Sequence, residues 1–304
     1  MHVGSPQHRE LFCRTFIETH VEFEPENLPW PVLEGIDLAR LRAFPFWSYA
    51  RSIEQRAGRM VSAFAKTIDD PLIHAAVALQ GEEESRHGRL MVHAIERYGI
   101  DAPPLVIADA PATADEFSIF GFGECTDSFI GFGAIALARE KGILPAALLD
   151  VFEGVMFEEA RHITFFINWW RYEEARAGRT NAFGQAIKAL GYHARAAMGT
   201  ITGATDLPPM PALEDPELKE LVAGITPVSF LESALAENRR MLGKLDPRLL
   251  KPQIMPGAAT LLLMGIRLLP PRPANVSKRQ VDGVQSVEPL RSLPAATPGQ
   301  ADAA

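Results

Sequence analysis

Apolar residues recur along most of this chain at the three- and four-residue spacing of helices that bury one face. Within 45–68, Ile53, Ala57, Met60, Val61 and Phe64 follow that spacing, and Glu54 borders the stripe. The pattern predicts a helix from about Pro45 to Ile68 and a second from Asp70-Pro71 to Tyr98-Gly99. A third is expected from about Asp115 to Lys141 and a fourth from about Pro145 to Arg176. Shorter helices are expected at 6–22, 181–201, 227–245 and 256–269, and Asp37 is expected to cap a short turn through Arg42. The proline-bearing stretches 23–34 and 205–227 read as loops, the second with about one turn of helix. The expected fold is all-α, with one domain over 1–269: a bundle over about 45–176 and additional helices over 181–269. Residues 270–304, rich in Pro, Ser, Ala and Gln, are expected to be a disordered tail.

Two of the predicted connections are short and one is long. Ile68-Asp69-Asp70-Pro71 and Lys141-Gly142-Ile143-Leu144-Pro145 carry the stop and start residues of tight helix–helix turns. Between them, 99–114 contains Pro103, Pro104 and Pro111 and is long for a bundle connection. A helix of the second one's length spans roughly 40 Å. About 16 extended residues can travel that far. The predicted chain therefore makes two hairpins joined by one crossover along the bundle.

The second and fourth helices share a motif. One reads Glu82-Glu83-Glu84-Ser85-Arg86-His87, the other Glu158-Glu159-Ala160-Arg161-His162. Residues i and i+3 of a helix lie on one face, so Glu84 with His87 and Glu159 with His162 can each grip one metal ion. A two-metal centre in a bundle draws one further Glu from each of the other two helices. Glu54 and Glu124 qualify, because each hairpin turn falls midway between its two acids. The expected ligands are Glu54, Glu84, His87, Glu124, Glu159 and His162. A metal-bound His usually donates its other N–H to an acid. Glu83 and Glu158 are the candidates, each reaching across to the opposite motif's His. Arg86 and Arg161, three residues further on, are placed to pair with these acids. Asp127, one turn from Glu124, is a weaker candidate for an extra ligand or proton donor, and His193 for an extra nitrogen. No other catalytic side chain is assigned.

In ligand type, order and spacing, residues 45–175 resemble the ferritin-like di-iron carboxylate superfamily. The repeated Glu, gap near thirty residues, then acid-Glu-x-Arg-His is similar to di-iron arylamine N-oxygenases. Those enzymes carry an additional His one turn before the second motif, where this chain has Val155. Gly58 stands where a radical-generating reductase subunit of the superfamily would carry a Tyr. The resemblance implies a ferritin-like four-helix bundle with a long crossover between its second and third helices, plus extra N- and C-terminal helices. It implies two iron ions, with manganese or a mixed pair as the alternative. The implied activity is an O₂-dependent oxidation of a small organic substrate, with an external electron donor. The alternative is a ferritin-like protein that oxidises and handles iron.

Composition narrows the partners. A net charge of −8 over 304 residues argues against nonspecific nucleic-acid binding. Cys13 and Cys125 form no metal or disulfide motif. No secretory leader and no transmembrane run is read, so a cytoplasmic location is expected, with a homodimer left open. The apolar segment 256–269 is expected to pack on the bundle rather than meet a membrane. Gly121, Gly123, Gly131 and Gly133 of the third helix read either as close packing or as room beside the metals.

Overall fold

The computed structural model describes residues 2–44, 46–204 and 216–268. These residues form an all-α bundle. Its helices are α1 (Pro6–Glu18), α2 (Gly35–Ala43), α3 (Trp47–Ala65), α4 (Pro71–Tyr98), α5 (Ala114–Glu140), α6 (Ala146–Arg176), α7 (Ala182–Ala204), α8 (Pro216–Ala223), α9 (Pro227–Leu242) and α10 (Ile254–Leu268). A single 3₁₀ turn, Pro25–Asn27, interrupts the loop before α2. The expected disordered tail lies outside the described residues. No helix among those described is long and apolar enough to cross a membrane.

The helix ends follow local chemistry. Asp70 accepts hydrogen bonds from the Leu72 and Ile73 amides and starts α4, with Pro71 in its first turn. Gly99 ends the same helix at φ +58°, a left-handed position suited to glycine. Thr113 caps α5 through the Glu116 amide. Gly142, at φ +63°, turns the chain between α5 and α6. Two expectations need correction. Asp37 does not cap α2: the N-cap is Glu34, and Asp37 lies inside the first turn. The helical turn expected within 205–227 is longer than one turn: α8 occupies Pro216–Ala223, because Pro216 supplies a favourable first helical residue.

Helices α3 and α4 pack as an antiparallel hairpin held close by small residues. A Cβ added at Gly58 would lie 2.3 Å from Ser85 Oγ, and one at Gly81 2.5 Å from Ser62 Oγ. Gly58 therefore fills a packing role where a larger side chain has no space. The crossover then runs beside α3 in the same direction. Arg51 donates to the Ala102 carbonyl, Ser52 accepts from the Leu105 amide, and Arg56 donates to the Ala108 carbonyl. The chain thus returns along the bundle before α5 and α6 form the second hairpin.

Helix α1 packs on α4 and α6, while α7 and α9 cover α5. One face of α10 packs through Ala259 and Leu263, but Leu261, Leu262, Met264 and Leu268 remain exposed. Two large apolar clusters fill the bundle. Phe64, Phe117, Phe166 and Trp169 belong to one, and Trp47, Leu90, Leu148 and Phe152 to the other. On α4 and α6 the repeated Glu/His motifs fall between the residues of these two clusters.

Candidate metal centre

The repeated motifs meet in the middle of the bundle. Glu84, His87, Glu159 and His162 are all buried, and one ligand-capable atom from each lies within 4.8 Å of the others. His87 Nδ1 is 3.0 Å from Glu159 Oε1, and His162 Nδ1 is 3.0 Å from Glu84 Oε1. The two imidazoles face each other with ring centroids 5.5 Å apart. Neither Nδ1 has a hydrogen-bond partner, and neither has Glu84 Oε2. Buried polar atoms left without partners are costly. Three of them converging from oxygen and imidazole groups, beside the Glu159 carboxylate, form the donor set that a divalent transition metal satisfies. This buried carboxylate and histidine cluster can hold a metal ion.

The outer nitrogens of the same rings are fully engaged. His87 Nε2 meets Glu158 at 2.9 Å, and His162 Nε2 meets Glu83 at 2.8 Å. Each acid therefore supports the His of the opposite helix. The arginines also pair across the bundle rather than with the acid three residues earlier on their own helix. Arg86 donates to Glu158 and Arg161 to Glu83. These ion pairs are buried, so removing one partner strands the other charge. A bundle needing only stability would fill this layer with apolar side chains.

Glu54 and Glu124 flank the central four. Glu54 Oε2 lies 3.7 Å from His87 Nδ1, and Glu124 lies beside Glu159. Burial pushes the Glu54 carboxyl up to about 7, despite the attraction of the nearby His87. Burial and the neighbouring acids Glu159 and Glu84 raise Glu124 well above the usual carboxylate range. Burial disfavours charge on Glu159 as well, but the adjacent His162 and His87 imidazoles hold it well below that range. Burial opposes protonation of both histidines, yet the surrounding acids raise them well above the ordinary imidazole value. Without metal, the cluster keeps its charge in balance by holding protons.

Asp127 is not part of the cluster. It lies with Glu124 on the wall of a cavity of about 620 Å³ between α3, the crossover, α5 and α7. Burial and the Glu159 charge raise it to about 6. The remaining walls near Glu124 are mostly apolar, among them Ile53, Met60, Leu105 and Phe120. The glycines of α5 divide between the two expectations. A Cβ at Gly121 would lie 2.2 Å from the Phe166 ring, and one at Gly133 2.8 Å from Ala234 Cβ, so both serve packing. Gly123 lines the cavity instead. His193 is 3.1 Å from Thr126 Oγ1, away from the ligand cluster, and Cys125 is core.

Three contributors escaped the sequence reading. Gln80, buried one turn before Glu84, donates to Glu84 Oε1 at 3.3 Å. It occupies in the first repeat the place Val155 holds in the second, so an i−4 comparison of the repeats would have found it. His20 and Thr19 follow α1 and reach Glu83 and Arg161, respectively. No local pattern marks them. His20, Glu83 and Glu158 also come within 4.8 Å of one another, but the two acids already accept from arginines and histidines. Comparison with protein-family models, curated proteins and solved structures returns no match for this chain.

Proposed function

We propose that this protein is a di-iron, O₂-dependent oxidoreductase of the ferritin-like carboxylate class, acting on a small organic substrate. The observation that carries the reading is the set of buried atoms without partners, Glu84 Oε2, His87 Nδ1 and His162 Nδ1, on a carboxylate and two imidazole rings whose outer nitrogens are both bonded. On this reading Glu54, Glu84 and His87 would hold one metal, and Glu124, Glu159 and His162 the other. Iron supplies dioxygen activation; manganese fits the same donors.

The chain's own residues have separable tasks. Glu83 and Glu158 orient the two imidazoles and keep each Nδ1 directed inward. Arg86 and Arg161 neutralise those acids, so the supporting layer adds little net charge beside the ligands. The apolar core above and below excludes water from the layer. The cavity beside Glu124 gives a substrate a place against the centre, and Asp127 is positioned there to hold or release a proton. That cavity favours substrate oxidation over iron storage. Electrons would come from a separate donor, since the sequence carries no flavin, Fe–S or nicotinamide motif.

The test is oxygen consumption by iron-loaded protein supplied with a chemical reductant and a panel of small aromatic and aliphatic compounds. Compound-dependent O₂ uptake with an oxidised product is expected. Uptake of many irons per chain with no compound dependence would contradict the reading.

A further inference from the structure

The two motifs are near copies in sequence, but their surroundings differ. Glu158 accepts from His87 Nε2 and from Arg86. Arg86 then lies over the Phe23 ring at 4.1 Å, and its buried Nε has no hydrogen-bond partner. Glu83 has three partners: His162 Nε2, Arg161 and His20 Nδ1. Arg161 is in turn fixed by Thr19 Oγ1 at 3.0 Å, by the Phe16 carbonyl and by the Phe16 ring. One half of the centre is thus tied to α1 and the residues just after it, and the other half is not.

We infer that the two metal positions are inequivalent, and that His20 acts as a positioning residue making the His162 position the tighter. The inference rests on the two-metal reading above. Its physical basis is pre-orientation. An imidazole binds metal best when its other N–H is held by an acid that is itself immobile. Glu83 divides its oxygens cleanly. Oε1 takes Arg161 and His20, which leaves Oε2 to His162 alone. His20 therefore fixes the carboxylate plane without competing for the oxygen that orients His162. Glu158 has only Arg86 in that role.

His20 is also a residue that can be changed without opening the core. It follows the C-cap Thr19, and its side chain is 24% exposed. Helix α1 stays docked through the buried Phe12, Cys13 and Phe16 and through His8, which meets Asn168 at 3.0 Å. Loss of the His20 imidazole removes a restraint on Glu83 and little else.

The experiment is a Co(II) titration of the full-length, metal-free protein, followed by the visible absorption of the bound ion. The wild-type protein should bind two equivalents in two resolved steps. His162→Ala should remove the tighter step. His20→Phe should weaken that step by about 10- to 100-fold and leave the other unchanged. His20→Gln, whose amide can still donate to Glu83, should retain most of the wild-type affinity. Equal wild-type steps, equal weakening of both steps by His20→Phe, or no weakening at all would overturn the inference while leaving the two-metal reading intact. Failure of the wild-type protein to bind Co(II) would overturn both.

Discussion

Glu83 on α4 and His162 on α6 are 79 residues apart in sequence, and their side chains meet at 2.8 Å with both fully buried. The reciprocal pair, Glu158 and His87, meets at 2.9 Å. Each motif therefore supplies ligand-capable atoms on its own helix and an orienting acid to its neighbour. Neither copy is complete alone.

This interlock predicts a large cost for breaking one supporting ion pair. Arg161→Ala leaves Glu83 buried with its arginine partner gone. It should destabilise the metal-free protein by about 3–5 kcal/mol. Glu83→Gln combined with Arg161→Met removes both charges and should cost much less. Chemical denaturation of the variants checks this; similar losses for the two would contradict it.

The protonation pattern predicts how the metal-free protein responds to pH. Glu54, raised to about 7 from an ordinary 4.5, binds more protons folded than unfolded across that interval. His87 and His162, raised above 6.5, do the same from there upward. Folded-state protons are thus lost as pH rises, and stability falls with them. Thermal melts in chelator should give a lower Tm at pH 8 than at pH 6. Metal uptake displaces those protons, so metal affinity should run the other way and strengthen with pH. A metal-free Tm that rises between pH 6 and 8 would contradict the assignment.

Packing around the third bundle helix separates its glycines. Gly121→Ala drives a methyl into the Phe166 ring and should cost about 1–3 kcal/mol. Gly123→Ala places its Cβ 3.3 Å from Ala196 Cβ at the cavity wall, where a small adjustment suffices. It should keep near wild-type stability and narrow the range of compounds accepted. Melting curves and product assays on both variants distinguish the two roles.

Much of this was legible in the sequence, for identifiable reasons. The bundle helices follow from apolar spacing, and their limits from Asp70-Pro71, Gly99 and Gly142, whose conformations are set locally. The meeting of the two motifs follows from their repetition and from turns at the hairpin midpoints. The crosswise pairing of Arg86 with Glu158 and of Arg161 with Glu83 was not legible. Residues three apart on one helix look like partners until the facing helix is placed. His20 was invisible for a related reason. It reaches Glu83 across 63 residues of sequence, and α1 carries no motif that points inward. Gly58 read as a missing side chain, and its reason is the Ser85 backbone pressed against it.

Anaerobic Fe(II) titration of the metal-free protein probes the buried cluster itself. Binding should saturate at two irons per chain, and Glu84→Ala and His87→Ala should each sharply reduce that uptake. Retention of both irons by those variants, or no uptake by the wild-type protein, would contradict the account.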